Sequence, residues 1–218
     1  MQYINTSPTE VAPAVAAKII ERLDQGKSVL WLLSGGSGGK VCVDASKLLK
    51  NHDLSRLYVT FSDERYGNPG HADENYQILI NDGLDLPGAS IYRPLQGLTE
   101  EEAVNSMTDW LEDVGSKVDF KFAVMGIGAD GHTAGVKPFS PAVLSSGSVE
   151  LYKADDFDRL TVTLNYIKLL DEAVVQAYGQ SKHEVVARLL NNDGEVESFP
   201  VLAIHEISEV TLYSDLTP

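Results

Sequence analysis

The chain has 218 residues, 43% of them hydrophobic and 22% charged, a make-up that excludes disorder along its whole length. A chain of this size buries about 70% of the surface its unfolded form exposes, without needing disulfides or structural metal, and one domain spanning residues 1–218 is expected. Acidic residues outnumber basic ones 32 to 17, a formal net charge of −15, which disfavours nucleic acid as a partner because such a surface must neutralise phosphates with Lys and Arg.

Met1 to Pro8 lack a basic region followed by an apolar stretch, so no signal peptide is expected. No apolar run approaches the ~20 residues of a membrane span, so no membrane partner is expected either. Ser7-Pro8-Thr9-Glu10 predicts a helix start, with Ser7 as cap, Pro8 in the first helical position and Glu10 completing a capping box. Val11, Val15, Ile19, Ile20 and Leu23 keep helical spacing from there to Gly26. Ser28 to Leu33 is short, apolar and ends at glycines, as a buried parallel strand does. Lys40 to Lys50 is the helix after it. It carries Cys42, which reads as packing rather than nucleophile and, having no partner for a disulfide, fits a reducing compartment. Leu57 to Phe61 is a second strand. Helices near Glu74–Asn81 and over Glu100–Val114 follow, the latter led by the cap signal Thr99-Glu100-Glu101-Glu102.

Phe120 to Met125 is a third strand, and Phe139 to Gly147, rich in Ser and Pro, reads as a surface loop. Leu160–Leu164 and Glu172–Tyr178 are predicted strands, Ser181–Leu190 a helix, and Glu209–Tyr213 a closing strand. The alternation predicts an α/β fold, without internal repeats.

Three polar, glycine-bearing segments each follow a predicted strand, and in an open parallel sheet ligands bind outside the carboxyl ends of the strands. Ser34-Gly35-Gly36-Ser37-Gly38-Gly39-Lys40 combines glycines that let backbone approach closely with a helix start that offers free N–H groups, a cradle for an anion and most naturally for phosphate. It lacks the first glycine and the final hydroxyl of a nucleoside-triphosphate P-loop, being Ser34 and Val41 at those places. Ser62-Asp63-Glu64-Arg65-Tyr66, with His71 and Asn75 beyond it, reads equally as a site or as solvated turn residues. Gly126-Ile127-Gly128-Ala129-Asp130-Gly131-His132-Thr133-Ala134 puts an imidazole two residues from a carboxylate that can orient it, the arrangement of an acid–base catalyst. His52, His183 and His205 show no paired ligand spacing, so no metal is expected.

The set S-G-G-S, S-D-E-R and G-x-G-A-D-G-H-T-A, in that order, resembles the 6-phosphogluconolactonases, whose superfamily includes the glucosamine-6-phosphate deaminases. Arg159-Leu160-Thr161-Val162-Thr163-Leu164 resembles that family's R-x-T-x-T-x segment, and Gly179-Gln180-Ser181-Lys182 its G-x-x-K. The chain departs from the family pattern in four places, one being the V-P after D-E-R, which is displaced to Tyr66-Gly67-Asn68-Pro69. Gly38-Gly39 replaces Thr-Pro, Glu74 precedes Asn75 where Ser often stands, and Gly135-Val136-Lys137 replaces S-L-F. The deaminases usually carry D-E-Y and D-G-H-I-A-F-N-E-P. Here Arg65 stands for the Tyr, Thr133 for the Ile, and Lys137 for the late Glu of their proton relay, which favours the lactonase branch.

The resemblance implies a Rossmann-like three-layer α/β/α fold with a mostly parallel central sheet, and hydrolysis of 6-phospho-D-glucono-1,5-lactone to 6-phosphogluconate in the oxidative pentose phosphate pathway. It implies His132 as general base, with Asp130 and Asp63 orienting the imidazole or the sugar hydroxyls. Phosphate is expected on Ser34, Gly35, Gly36 and Ser37 and in the grip of Arg159 and Lys182, with Arg65 a further candidate at an anionic end. It implies no cofactor, a cytoplasmic monomer or weak homodimer, and a phosphorylated sugar lactone as the small-molecule partner. The alternatives are a deaminase or isomerase of aminosugar phosphates and a non-catalytic sugar-phosphate sensor.

Overall fold

A computed structural model describes residues 1–217. Strand β1 (Gln2–Asn5) leads through a 3-10 turn (Pro8–Glu10) into helix α1 (Val11–Asp24). Next come β2 (Val29–Leu33), α2 (Gly36–Leu49), β3 (Leu57–Phe61), β4 (Asp63–Arg65), α3 (Asn75–Asn81), β5 (Ser90–Ile91) and α4 (Glu100–Gly115). The second half holds β6 (Phe120–Gly126), α5 (Pro141–Leu144), β7 (Val149–Lys153), β8 (Asp158–Val162), α6 (Leu164–Ile167) and β9 (Glu172–Ala177). A 3-10 turn (Gln180–Lys182) then enters α7 (His183–Leu190), and a longer 3-10 segment (Pro200–Glu206) precedes β10 (Glu209–Ser214).

Seven strands form one sheet in the order β1-β10-β9-β6-β2-β3-β5, and each neighbouring pair is parallel. Each strand residue faces one side or the other in alternation, so a strand covered on both faces must be apolar throughout. β2 shows this directly. Val29, Trp31 and Leu33 pack with Val15 and Ile19 of α1 and Leu49 of α2, whereas Leu30 and Leu32 pack with Met107 and Leu111 of α4 and Leu189 of α7. The result is the three-layer α/β/α architecture implied by the motifs, with the central sheet parallel at every step. From β2 the chain first builds outward through β3 and β5, then returns to the other side of β2 with β6, so the sheet order reverses between β2 and β6. That reversal opens a crevice at the carboxyl ends of these two strands.

A second sheet, β4-β8-β7, is antiparallel and hangs beside the carboxyl end of β3. Neither β4 nor β7 is among the predicted strands; nor are β1, β5 and the 3-10 segment at Pro200–Glu206. β4 and β5 are too short and polar or exposed for a periodic signal. The segment Phe139–Gly147, expected as loop, contains the single turn α5 behind Pro141. The strand expected over Leu160–Leu164 runs instead from Asp158 to Val162, because Thr163 turns out of the sheet and its hydroxyl caps α6 through Tyr166 N–H at 3.3 Å.

Two helix starts differ from expectation. α2 begins at Gly36 rather than Lys40, since its glycines lie within the helix: a Cβ at Gly38 would overlap the Ser34 side chain and one at Gly39 would press on Leu79. The capping box expected at Ser7 and Glu10 does not form. Ser7 Oγ lies 2.9 Å from the Thr9 hydroxyl and accepts the Thr9 N–H at 3.4 Å in the 3-10 turn, and α1 starts only at Val11. At Thr99 the box is complete, with Thr99 N–H donating to Glu102 Oε2 at 3.0 Å and Glu102 N–H to Thr99 Oγ1 at 3.4 Å. Thr99→Ala is therefore expected to cost about 1 kcal/mol in urea unfolding, and Ser7→Ala less. Equal losses would contradict the difference between the two termini.

Candidate active site

The Ser34–Ser37 loop continues β2 into α2 at the crevice. Gly36 has φ +50, and a side chain at Gly35 would collide with the Asn75 carboxamide, so this backbone admits glycine at both places. The first turn of α2 leaves its leading N–H groups without intrahelical acceptors, beside the hydroxyls of Ser34 and Ser37.

The S-D-E-R segment is divided by strand alternation. In the antiparallel register of β4 with β8, Asp63 lies opposite Thr161 and Arg65 opposite Arg159, so these four share a face. Glu64, on the other face, is fully buried and serves the backbone: its carboxylate accepts N–H bonds from Asn75 at 2.6 Å, Tyr76 at 3.0 Å and Arg65 at 2.8 Å. It thereby caps α3, while burial pushes its pKa up to about 8 against the pull of those bonds. Asn75 in turn donates its side-chain N–H to Asp63 O at 3.0 Å, tying α3 to both loops. Asp63 is buried, which raises its pKa, and the charges of Arg159 and His132 oppose the rise. It accepts from Ser62 Oγ at 3.2 Å and from Arg159 Nη1 at 3.5 Å.

Beyond β6 the chain makes a tight glycine turn. Gly131 has φ +88 and any side chain there would strike the Phe199 ring, while one at Gly128 would strike His132 and Asp130. The turn is held by Gly128 N–H to His132 O at 2.8 Å and by Val201 N–H to Gly131 O at 3.0 Å, so the 3-10 segment at Pro200–Glu206 buttresses it from behind. His132 Nδ1 donates to Asp130 Oδ1 at 2.7 Å, and His132 N–H reaches the same oxygen at 3.2 Å. That bond fixes the tautomer of the neutral ring, leaving Nε2 as the unprotonated nitrogen of a residue that lines the cavity.

Arg159 comes from β8, and Lys182 from the 3-10 turn after β9. Arg159 is gripped by Asp156, Nη2 to Oδ2 at 2.6 Å and Nε to Oδ1 at 3.3 Å. Lys182 Nζ donates to Ile127 O at 2.7 Å, joining the loops after β9 and β6. Arg65 lies with its guanidinium carbon 4.6 Å from the centre of the Phe157 ring.

The serine–glycine loop, the face of β4 and β8 that carries Asp63 and Arg159, the D-G-H-T turn and Lys182 meet at one cavity of about 270 Å³. Ser34, Gly35, Gly36, Ser37, Asp63, Arg65, His132, Arg159 and Lys182 line it, and Asp130 stands behind His132. The two acids thus divide their contacts: Asp130 holds the imidazole, and Asp63 bonds to Arg159 and Ser62. Of the two acids expected to orient the imidazole or the sugar hydroxyls, Asp130 is the one hydrogen-bonded to the ring. Asn75 and Ala134 also line the cavity and lie outside the expected set. Asn75 stood next to the S-D-E-R motif, but its role depends on packing against Gly35, which carries no local signal. Ala134 is held at φ +49.

The remaining candidates lie apart. His71 uses both ring nitrogens within its own loop, Nε2 to Arg65 O at 2.9 Å and Nδ1 to Asp73 N–H at 3.3 Å. Cys42 is buried and its thiol is pushed up to about 12, consistent with packing rather than nucleophilic duty. Lys137 turns away from the cavity to Asp155 and Asp156. Among the described residues no cluster of His, Cys, Asp and Glu has the form of a metal site, and no helix is long and apolar enough to cross a membrane.

The hydrogen bond from His132 holds the Asp130 carboxyl down at about 2, against an ordinary 3.8. Because the folded value is depressed, the stabilisation from this contact is complete above pH 3.8 and lost as pH falls through about 2. Carboxyl-carbon NMR should find Asp130 titrating near 2 in the native chain and moving back toward 3.8 in His132→Ala. An Asp130 titration that the substitution leaves unmoved would contradict the contact.

Residues 6–213 match the family described as glucosamine-6-phosphate isomerases/6-phosphogluconolactonase. A 6-phosphogluconolactonase of Synechocystis sp. is 26% identical over 190 residues, which cover 82% of this chain and 78% of that protein. Among solved structures, a 6-phosphogluconolactonase from Shewanella baltica OS155 superposes with a TM-score of 0.81 at 23% identity, covering 98% of this chain and 96% of that one. A monomeric glucosamine-6-phosphate deaminase superposes with a TM-score of 0.82 at 18% identity, covering 98% and 97%. At these identities the two structures establish a common fold. With the family match running through nearly the whole length, the chain belongs to the glucosamine-6-phosphate isomerase/6-phosphogluconolactonase family.

Proposed function

We propose that the chain is a 6-phosphogluconolactonase, hydrolysing 6-phospho-D-glucono-1,5-lactone to 6-phosphogluconate as in the oxidative pentose phosphate pathway. The observation that carries this reading is the His132–Asp130 bond at 2.7 Å, which leaves Nε2 for the cavity shared with Arg159, Lys182 and the Ser34–Ser37 loop. In this reading His132 Nε2 takes a proton from water as the water oxygen attacks the lactone carbonyl carbon. Asp130 keeps the ring in the required tautomer and supports the imidazolium that forms. The tetrahedral oxyanion then collapses, the bond from the carbonyl carbon to the ring oxygen breaks, and that oxygen takes the proton back from the imidazolium.

The phosphate is placed on the backbone N–H groups of Gly35 and Gly36 and the hydroxyls of Ser34 and Ser37, with Arg159 and Lys182 gripping it and Arg65 nearby. A helix N-terminus with convergent cations favours such an anion strongly, all the more in a chain of net charge −15, where a basic cleft focuses the field. Asp63, bonded to Arg159, orients that cation or a sugar hydroxyl. Lys137 weighs against the deaminase reading. It occupies the place of the deaminases' relay carboxylate and is tied outward to Asp155 and Asp156.

Purified protein should hydrolyse freshly generated 6-phosphogluconolactone well above its spontaneous rate and leave glucosamine 6-phosphate unchanged; the opposite pattern overturns the proposal. His132→Asn is expected to lower kcat by about 10²–10⁴-fold with little change in KM. Turnover near the native rate in that variant would remove His132 as the base. Lys182→Ala should weaken the phosphorylated lactone far more than glucono-1,5-lactone, whereas equal losses for both would take Lys182 out of the phosphate site.

A further inference from the structure

The turn between β7 and β8 touches both arginines of the cavity with consecutive residues. Asp156 grips Arg159, and the Phe157 ring lies against the Arg65 guanidinium. We infer that Asp156 is a positioning residue, which fixes Arg159 with one edge of its guanidinium presented to the anionic end of the substrate. This rests on the reading of the cavity as a sugar-phosphate site and goes beyond it, since Asp156 lies outside the cavity lining and reaches a ligand only through Arg159.

A guanidinium is planar, with five N–H donors in a fixed fork. Asp156 occupies the edge formed by Nε and Nη2, at 3.3 and 2.6 Å. The edge formed by Nη1 and the second Nη2 hydrogen stays with the cavity, where Asp63 meets Nη1 only at 3.5 Å. An oxyanion approaching from the cavity therefore finds a donor pair already oriented, and the rotamer freedom that a long cation loses on binding has been given up beforehand. Asp63 stands on the cavity side of Arg159 but reaches Nη1 only at 3.5 Å, whereas Asp156, bound to the Nε–Nη2 edge, holds the guanidinium without taking those cavity-side donors.

Asp156 is itself fixed from two other directions. Its Oδ1 accepts Phe157 N–H at 2.9 Å within the turn, and Lys137 Nζ lies 3.5 Å from the same oxygen while also pairing with Asp155. Arg159 and Lys137 together hold the Asp156 carboxyl well below the usual carboxylate range, so it stays charged. Lys137, a departure from the lactonase run D-G-H-T-A-S-L-F-P, thus has a place: it links the loop after His132 to the turn that aims Arg159. The chain of contacts runs Lys137, Asp156, Arg159, Asp63, and ends on a carboxylate that lines the cavity.

The test is a double-mutant cycle read by equilibrium binding of 6-phosphogluconate, followed by calorimetry, alongside steady-state hydrolysis. Asp156→Ala is expected to weaken 6-phosphogluconate about 10-fold and to raise KM for the phosphorylated lactone similarly, with kcat within about 2-fold of native. Glucono-1,5-lactone, lacking the phosphate, should be turned over as by the native protein. In an Arg159→Ala background the same substitution should add nothing, because its partner is gone. Lys137→Met should move binding in the same direction by a smaller factor, about 3-fold. Unchanged or tighter binding in Asp156→Ala, or a loss that persists without Arg159, overturns the assignment; Asp156→Asn serves in the same cycle should the alanine variant fail to fold. Native protein that binds 6-phosphogluconate without hydrolysing the lactone would sink the proposed reaction and still decide the role of Asp156. Native protein that does not bind it would overturn both.

Discussion

All neighbouring strands of the seven-stranded sheet run parallel, so every strand delivers its following loop to the same edge. The rest of the molecule depends on that constraint. A parallel sheet needs a crossover after each strand, the crossovers cover both faces, and the loops gather where the strands end. The reversal of order between β2 and β6 then leaves a gap between two such loops, the serine–glycine loop and the D-G-H-T turn. Residues separated by nearly a hundred positions become neighbours without any local sequence tie. The small antiparallel sheet adds the third side, because β4 pairs with β8 in a register that sets Arg65 opposite Arg159.

The charges of the cavity are arranged against the background of the chain. A protein carrying −15 brings Arg65, Arg159 and Lys182 into one cleft, and most of the acids there are already committed. Asp130 holds the imidazole, Asp156 holds Arg159 from behind, and Glu64 faces away to satisfy two backbone N–H groups at the start of α3 and that of Arg65 on β4. Glu64 and Asp63 are adjacent in sequence and both buried, yet strand alternation gives them separate work. A buried carboxylate is costly unless its lone pairs are taken, and each of these two has its own set of donors.

Much of this was legible in the residues. The apolar runs at β2, β3 and β6 mark strands buried on both faces, and the three polar segments after them mark the edge where loops meet. What stayed hidden was of two physical kinds. Elements such as β4 and β5 are too short for any periodicity, and they exist only because a partner strand is present. Contacts such as Asn75 on Gly35, Phe199 against Gly131, or Asp156 on Arg159 are set by tertiary packing. Their residue types alone do not distinguish them from solvated neighbours. Ser7 shows the reverse case: the capping pattern was present in sequence, but Thr9 and a 3-10 turn took up the bonds that the box required. The division of labour between Asp63 and Asp130 is likewise set by tertiary contacts, since each is an acid in a polar segment that follows a buried strand.

The proposed hydrolysis requires a sugar phosphate lying in one orientation across the crevice, with its anion at the β2 loop and its carbonyl carbon at the imidazole. A crystal structure with 6-phosphogluconate bound measures this most directly. The phosphate should lie on the Ser34–Ser37 backbone between Arg159 and Lys182, and the carboxylate carbon should face His132 Nε2. A phosphate bound away from those cations, or a carboxylate end turned from His132, would contradict it.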